Sequence, residues 1–458
     1  MTNARRILAG AAILLVAALA CGLHFGYRAA AIGTAYKAKI LCSGLFVSRR
    51  EPQAILDKEL SVDDLGILKH IDAQVDRDAM SVTASLFGIA ARTAAFRGQQ
   101  GCALRFSGGE AVTSIALPPS RISRDNRFSE PTGAPDSDTR LLNAVVEQAF
   151  TENDPALSRR TRAILVLHRG RLIAERYAPG FSAHTPMPGW SMAKSVINAL
   201  VGILVEQGRI RLRDPVPVAA WHSPGDPRAK ITWEHLLHME SGLQFDESYR
   251  NPLSDVMVML LASPGAADFA LAKPLEHEPG THWKYTSGTT NIIASAIRQV
   301  VGEALYPEFP RKALFDRLGM SSAILETDAR GTFVGSSFVY ATARDWAHFG
   351  LLYAQDGIWN GQRILPAGWV KYSATPASHA PGGQYGSHFW LRYPPPPECK
   401  GAHPDFPADG FHAAGHEGQF LTIIPSRQLV IVRLGLTRHP CGWNHHAFVR
   451  DVLDAVKG

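Results

Sequence analysis

The chain has 458 residues, of which 46% are hydrophobic and 19% are charged, a balance that excludes a disordered or fibrous protein. Its 47 Lys and Arg residues exceed its 41 Asp and Glu residues, which gives a net charge of +6. This excess is spread along the chain without a basic cluster among aromatic residues, so we expect no nucleic-acid partner. A single long apolar run excludes a membrane protein with several spans.

The apolar run lies at the N-terminus. Two arginines precede apolar residues 7–20, and the small residues Ala18 and Ala20 stand near its end, a pattern typical of an export signal. Three fates are open for residues 1–27: cleavage as a signal peptide, lipidation at Cys21, or retention as a membrane anchor. In each case we expect an exported protein, either in a bacterial periplasm or anchored in the inner membrane and facing the periplasm.

Four cysteines remain after the export segment, and they allow three pairings. Pairing between sequence neighbours, Cys42 with Cys102 and Cys399 with Cys441, closes one loop within each predicted unit. Disulfides persist in exported proteins, so we expect these two bonds. The alternative is four unpaired, buried thiols.

The chain divides into three parts after the export segment. Residues 36–117 are predicted to form a small mixed α/β unit without recognisable chemistry. Residues 118–138 are rich in Pro, Ser, Asp and Arg and are predicted to form a linker. Residues 139–458 form the main domain. Within the small unit the predicted strands and helix are 40–47, 52–60 (the helix), 81–87 and a strand that begins at 93.

The main domain begins and ends with the same elements. A helix over 141–150, capped by Asp136 or Asp138, precedes a hairpin over 163–177, and a hairpin over 419–436 precedes a last helix over 447–456. A long helical region separates the two hairpins. This order predicts one antiparallel sheet that is closed by both ends of the domain, with a helical layer inserted between them.

Ser191 and Lys194 are three residues apart at the start of an apolar stretch that ends at Gly208. This stretch predicts a buried helix, and the spacing places both side chains on one face of its first turn. A serine hydroxyl needs a base to become a nucleophile, and a lysine amine acts as a base only when it is neutral. Burial and the positive end of the helix dipole both lower the lysine pKa. The alternative is an N-capping serine beside a lysine that reaches to water.

Two further motifs carry polar groups. In Tyr285-Thr286-Ser287, on a loop that enters a helix, the phenol can relay protons, and a neighbouring cation favours the phenolate. In His416-Glu417-Gly418, at the start of a strand, a glycine lets a substrate lie against the backbone. The N–H groups of Ser191 and Gln419 are then candidates for an oxyanion hole.

Together the three motifs, in this order and about 90 and 130 residues apart, resemble the serine β-lactamase and penicillin-binding-protein superfamily. The closer resemblance is to class C-like hydrolases of the 6-aminohexanoate-dimer hydrolase and esterase type, and it covers about residues 140–458. It implies an α+β fold with a five-stranded antiparallel sheet flanked by helices and a helical subdomain. It also implies Ser191 as the nucleophile, Lys194 and Tyr285 as general base and acid, and no cofactor or metal. Substrate-binding candidates are Ser287, His416, Gly418 and Tyr249.

The resulting hypothesis is an exported serine hydrolase that cleaves a small amide or ester through an acyl-enzyme. The alternatives are a penicillin-recognising D-alanyl carboxypeptidase or β-lactamase, and a binding protein without catalysis. Glu417 departs from the Lys-Thr-Gly of β-lactam-binding relatives, and in the cleft its charge repels an anion, so we expect poor β-lactam turnover. Tyr249 is either an aromatic gate of the cleft or a surface residue. The sequence carries no signal for an oligomeric state.

Overall fold

The computed structural model describes residues 2–106, 138–394, 398–399 and 406–456. Apart from Asp138, the predicted linker lies outside these residues. The chain begins with helix α1 (Thr2–Cys42), which is long and apolar enough to cross a membrane. Residues 10–28 of this helix are exposed, whereas from Ala31 onward it is mostly buried against the rest of the protein.

The small N-terminal unit wraps around the buried end of α1. Its other elements are α2 (Pro52–Lys58), β1 (Ile71–Asp76), β2 (Ser81–Leu86), β3 (Ile89–Phe96) and β4 (Cys102–Leu104). The four strands form an antiparallel meander in chain order. Ile32, Ala35 and Ala38 of α1 pack on Val82 and Ala94 of the sheet. Cys42 and Cys102 form a disulfide between α1 and β4, as predicted.

The strand predicted over residues 40–47 is wrong, because these residues are helical. Ile40–Cys42 complete α1, and Ser43–Val47 continue it as one turn of π-helix. The local sequence is rich in residues that strands favour, but such preferences are weak beside tertiary packing. Ala38, Leu41 and Cys42 are buried at helical spacing, so packing against the sheet selects the helix.

A buried ion pair joins the small unit to the main domain. Lys39 of α1 donates to the carboxylate of Glu326, and both side chains are almost completely buried. The same carboxylate accepts hydrogen bonds from the Ser43 hydroxyl at 2.9 Å and from the Cys102 backbone N–H at 2.7 Å. A buried carboxylate needs such partners, so Glu326 requires the small unit in this position.

The main domain is built from helices and one principal sheet. Its helices are α3 (Thr139–Ala149), α4 (Ala193–Glu206), α5 (Trp233–Leu237), α6 (Asp255–Leu261), α7 (Ala266–Leu271), α8 (Ser287–Val301), α9 (Asp316–Leu318), α10 (Ala343–Ala354), α11 (Trp369–Ser373) and α12 (His445–Ala455). Its strands are β5 (Thr161–His168), β6 (Arg171–Tyr177), β7 (Met187–Pro188), β8 (Ile324–Leu325), β9 (Val339–Ala341), β10 (Ile358–Trp359), β11 (Gln362–Arg363), β12 (Phe411–Gly415), β13 (Gln419–Ile424) and β14 (Leu429–Gly435). The predicted hairpins and terminal helices are therefore confirmed, and Asp138 caps α3 by accepting from the Leu141 N–H.

The principal sheet has five antiparallel strands in the order β12-β13-β14-β5-β6. Strands from both ends of the domain meet where β14 pairs with β5, which confirms the predicted closure. Successive side chains of a strand point to opposite faces. Leu165 and Val432 accordingly pack toward α4 and α10, whereas Ile164 and Val166 pack toward α3 and α12. The sheet is thus the middle layer of a three-layer α+β domain.

The second disulfide joins Cys399 to Cys441, so the predicted pairing of sequence neighbours is confirmed for both bonds. Cys21 is unpaired and exposed on α1. The two bonds lie in different units, and each closes a loop within its own unit. This arrangement suits an oxidising compartment.

Candidate active site

Ser191 lies in a short 3-10 turn, Trp190–Met192, that leads directly into α4. Trp190 has a φ of +48°, a backbone conformation that bulky residues rarely adopt. The Trp190 indole N–H donates to a carboxylate oxygen of Glu417 at 3.1 Å, which holds the turn in place. The helix itself is buried over most of its length, as the apolar sequence predicts.

Lys194 is almost fully buried, and its ammonium nitrogen Nζ has three oxygen partners. It lies 3.0 Å from Ser191 Oγ, 3.1 Å from Ser287 Oγ and 3.0 Å from the carbonyl oxygen of Ser336. Burial lowers the pKa of Lys194 to about 8, while the nearby Glu247 carboxylate acts in the opposite direction. A substantial fraction of this lysine is therefore neutral near physiological pH.

The phenol of Tyr285 lies beside the Ser191 hydroxyl, so the structure brings together all three predicted catalytic side chains. The ring of Tyr285 stacks on Trp390 with 5.4 Å between centroids, and Lys194 Nζ lies 4.8 Å from its centre. Burial, reinforced by Glu247, raises the pKa of the phenol. The expectation that Tyr285 is a phenolate is wrong for the protein without substrate, because the raised pKa keeps the phenol neutral.

Glu247 is a member of the site that the sequence did not reveal. Ser287, the first residue of α8, donates its backbone N–H to Glu247 Oε2 at 2.8 Å and its hydroxyl to Oε1 at 2.5 Å. A carboxylate is favoured at a helix N-terminus by the helix dipole. Glu247 thus connects to Lys194 through Ser287, which lies between them.

Tyr249 and His416 form an aromatic wall beside the serine. Their rings stack with 5.2 Å between centroids, and the His416 ring meets the Trp190 indole edge-on at 5.7 Å. The Tyr249 hydroxyl donates to Glu247 at 3.1 Å. Tyr249 remains 38% exposed, so it lies at the site and at the surface at the same time.

The end of β12 approaches the serine turn closely. An added Cβ at Gly415 would lie 2.1 Å from the carbonyl oxygen of Gly189, so only glycine permits this contact. Strand β12 is the edge strand of the sheet, and β13 lies one strand farther away. The end of β12 therefore lies against the turn that holds Ser191, and Gln419 is the residue of β13 that pairs with Gly415.

Comparison with known proteins identifies the family of this chain. A model of the Beta-lactamase family matches residues 146–442. The chain belongs to the β-lactamase family. It is 25% identical to the 6-aminohexanoate-dimer hydrolase of Paenarthrobacter ureafaciens over 317 residues, which is 64% of this chain and 77% of that protein. The membership and the named relatives make this chain a serine hydrolase of the family.

Solved structures share the β-lactamase-family fold. A Bacillus anthracis protein, provisionally named a 6-aminohexanoate-dimer hydrolase, superposes with a TM-score of 0.56 and 22% identity, covering 72% of this chain and 87% of that one. A penicillin-binding-protein homologue from Caulobacter crescentus gives a TM-score of 0.52 and 16% identity, covering 70% and 97%. These likenesses confirm the predicted fold class.

The third motif of this family member differs from its predicted arrangement. Glu417 does not present a free charge to the cleft, because it pairs with Arg438 at 3.1 Å and both side chains are about 5% exposed. The expectation that Glu417 repels an anionic substrate is therefore wrong. Gly418 has a φ of +78°, and an added Cβ would lie 2.4 Å from a guanidinium nitrogen of Arg433. The structure thus places Gly418 against Arg433, and the Gln419 side chain donates to the Gly435 carbonyl at 2.8 Å.

The carbonyl that receives Lys194 is itself held by a polar pair. Asn291 of α8 donates from Nδ2 to Ser336 Oγ at 3.1 Å, and its Oδ1 accepts from the Ser336 N–H at 3.1 Å. Among the described residues, no group of three or more His, Cys, Asp and Glu side chains is arranged for a metal ion.

Proposed function

We propose that the chain cleaves an amide or ester bond through an acyl-enzyme on Ser191, with Lys194 as the general base and Tyr285 as the proton donor. One observation carries this proposal. A buried amine with a pKa near 8 lies 3.0 Å from the hydroxyl that it must deprotonate. The named relative hydrolyses a dimer of 6-aminohexanoate, and an amide bond joins two amino acids in such a dimer. An amide is therefore as well supported as an ester as the bond that this chain cleaves.

In acylation, the Ser191 oxygen forms a bond with the carbonyl carbon while its proton passes to the neutral Lys194 amine. The carbonyl oxygen becomes an oxyanion, and backbone N–H groups at the start of α4 stabilise it. The Ser191 N–H is one donor. The approach of β12 favours the His416 N–H as the second, and Gln419 remains the alternative predicted from the sequence. The bond to the leaving group then breaks as Tyr285 gives it a proton.

After acylation, the Lys194 ammonium returns its proton to the Tyr285 phenolate, so the amine is neutral again. In deacylation, a water molecule attacks the acyl carbon, and Lys194 accepts the proton of that water. The bond to Ser191 Oγ breaks, the carboxylic acid leaves, and Lys194 passes the proton to the serine oxygen. Ser287 donates to Glu247 and faces Lys194, so we propose that it positions the amine and contacts substrate. The reaction needs no electron transfer and no cofactor.

Labelling with a fluorophosphonate probe tests the nucleophile. An activated Ser191 oxygen displaces fluoride from phosphorus, and mass spectrometry of the full chain then locates the adduct. We expect the adduct on Ser191. A folded protein that forms no adduct would favour the alternative of a binding protein without catalysis.

Glu247→Gln should shift the pH dependence of catalysis to lower pH. The Glu247 carboxylate raises the pKa of Lys194, so its removal lowers that pKa and leaves more neutral amine at a given pH. The measurement is the midpoint of the rising limb of kcat/KM against pH. Glu278→Gln is the matched control, because Glu278 is exposed. A midpoint that is unchanged or higher in Glu247→Gln would contradict this role.

We still expect slow β-lactam turnover, but because of Glu247 and not because of Glu417. The carboxylate that faces the site is that of Glu247, 2.8 Å from the Ser287 backbone nitrogen, and it disfavours an anionic substrate. Nitrocefin hydrolysis by the purified protein measures this directly. Efficient turnover would instead favour the alternative of a penicillin-recognising enzyme.

We infer that α1 remains as a membrane anchor with the main domain on the periplasmic side. Two arginines at the N-terminus favour a cytoplasmic start of the helix. The exposed part of α1 continues without a break into the part that is buried in the small unit. The two disulfides support an exported location.

A further inference from the structure

A cavity of about 1430 Å³ lies between α1, the small unit and the main domain. It exceeds the ~300–1,000 Å³ that is usual for small-molecule sites. Its walls are mainly apolar and come from all three parts of the chain. They include Ile32 and Ile40 of α1, Leu68 and Leu86 of the small unit, and Leu260 and Phe338 of the main domain.

One end of this cavity reaches the candidate active site. Trp190, Tyr249 and His416, the rings of the aromatic wall, all line it. Trp190 is the neighbour of Ser191, and the Tyr249 hydroxyl binds Glu247. A chain attached to a carbonyl at Ser191 therefore has this cavity directly beside it.

The other end lies where α1 leaves the protein. Gly26, Ala29 and Ala30 line the cavity at the last exposed turns of the helix before it becomes buried. The Thr34 hydroxyl donates to the carbonyl of Ala90 at 2.6 Å, so the β2–β3 hairpin is held at the same level of α1. A span of ~20 exposed residues before this point matches the thickness of a bilayer, which places this end at the membrane surface.

The rim of this end is apolar and exposed. Ile67 and Phe87 both line the cavity, yet they are 74% and 78% exposed, and Ile89 on the same hairpin is 58% exposed. Large apolar side chains clustered in this way mark a contact with a membrane or a partner. Their position beside the emerging α1 favours the membrane.

We propose that the cavity binds the long acyl chain of an amphiphilic ester or amide drawn from the membrane that holds α1, with the carbonyl at Ser191. This inference rests on the proposed function and adds the class of substrate. The apolar chain passes between the rim and the aromatic wall, and the polar part of the molecule stays on the outer side of Ser191. Hydrolysis then releases the acyl group as a fatty acid.

The test uses the full chain in lipid nanodiscs with p-nitrophenyl butyrate and p-nitrophenyl dodecanoate. Ala30→Trp fills the cavity with an indole, so the ratio of kcat/KM for dodecanoate to kcat/KM for butyrate should fall by about tenfold or more. Ala20→Trp makes the same change on the exposed part of α1, away from the cavity, and should keep the wild-type ratio. A ratio that is equal in the two variants would overturn the proposal.

A second measurement remains informative if Ala30→Trp fails to fold. A fatty acid with a diazirine at its end, photoactivated in the same nanodiscs, should cross-link to residues 257–261, and dodecanoate should compete. Cross-linking with no turnover of either ester would leave the cavity assignment standing and reject the proposed function. Turnover of butyrate without cross-linking at 257–261 would support the proposed hydrolase function and overturn the acyl-chain site. Occupation of the cavity by the protein's own chain would also overturn the acyl-chain site.

Discussion

Ser191→Ala is expected to lower kcat/KM for any ester or amide that the protein hydrolyses by at least ~10³-fold. The hydroxyl that would form the acyl-enzyme is 3.0 Å from Lys194 Nζ and lies beside the Tyr285 phenol. Without it, Lys194 has no hydroxyl to deprotonate, and no acyl-enzyme can form. Initial rates under identical conditions measure the loss, and the fluorophosphonate adduct should vanish in the same variant.

The matched control for this substitution is Ser248→Ala. Ser248 lies beside Glu247 in the sequence but is exposed, and removal of its hydroxyl should change kcat/KM less than twofold if it has no catalytic contact. Thermal unfolding should show that both variants are folded. Retention of more than a tenth of wild-type activity by Ser191→Ala would reject the acyl-enzyme on this residue.

The fold of the main domain was predictable because its signals are local or repetitive. Apolar residues over 163–168 and 429–435 form strands that are buried on both faces, and such runs are recognisable in a sequence. The order of the three motifs adds long-range information that no single segment holds. The proximity of Ser191, Lys194 and Tyr285 was predictable for this reason, although the last two are 91 positions apart in the chain.

The parts that were not predictable depend on contacts between distant segments. Glu247 lies in a stretch of polar residues without a motif, and only the fold brings it to the start of α8. The pairing of Glu417 with Arg438 likewise removes the basis of an argument made from the sequence alone, that Glu417 repels an anionic substrate. The helical state of residues 40–47 and the cavity beside α1 are further examples, since both arise from packing between units.

Lys194→Met should lower kcat/KM by about 10²–10⁴-fold, the usual contribution of a general base. Methionine is similar in length and suits a buried site, so the change removes the amine without leaving a large cavity. The wild-type profile should also depend on pH in a specific direction. As the pH falls below about 8, a growing fraction of the amine is protonated and cannot accept the serine proton, so kcat/KM should rise with pH and level off above that value.

The residual activity of Lys194→Met should lack this rising limb, because the group that titrates has been removed. Lys284→Met is the matched control, since Lys284 is adjacent to Tyr285 in the sequence but pairs with Glu276 in a partly exposed ion pair at 2.8 Å. It should keep both the rate and the pH profile. A wild-type rate that is constant between about pH 6 and pH 9 would mean that Lys194 is not the base, because burial places its change of charge within that range.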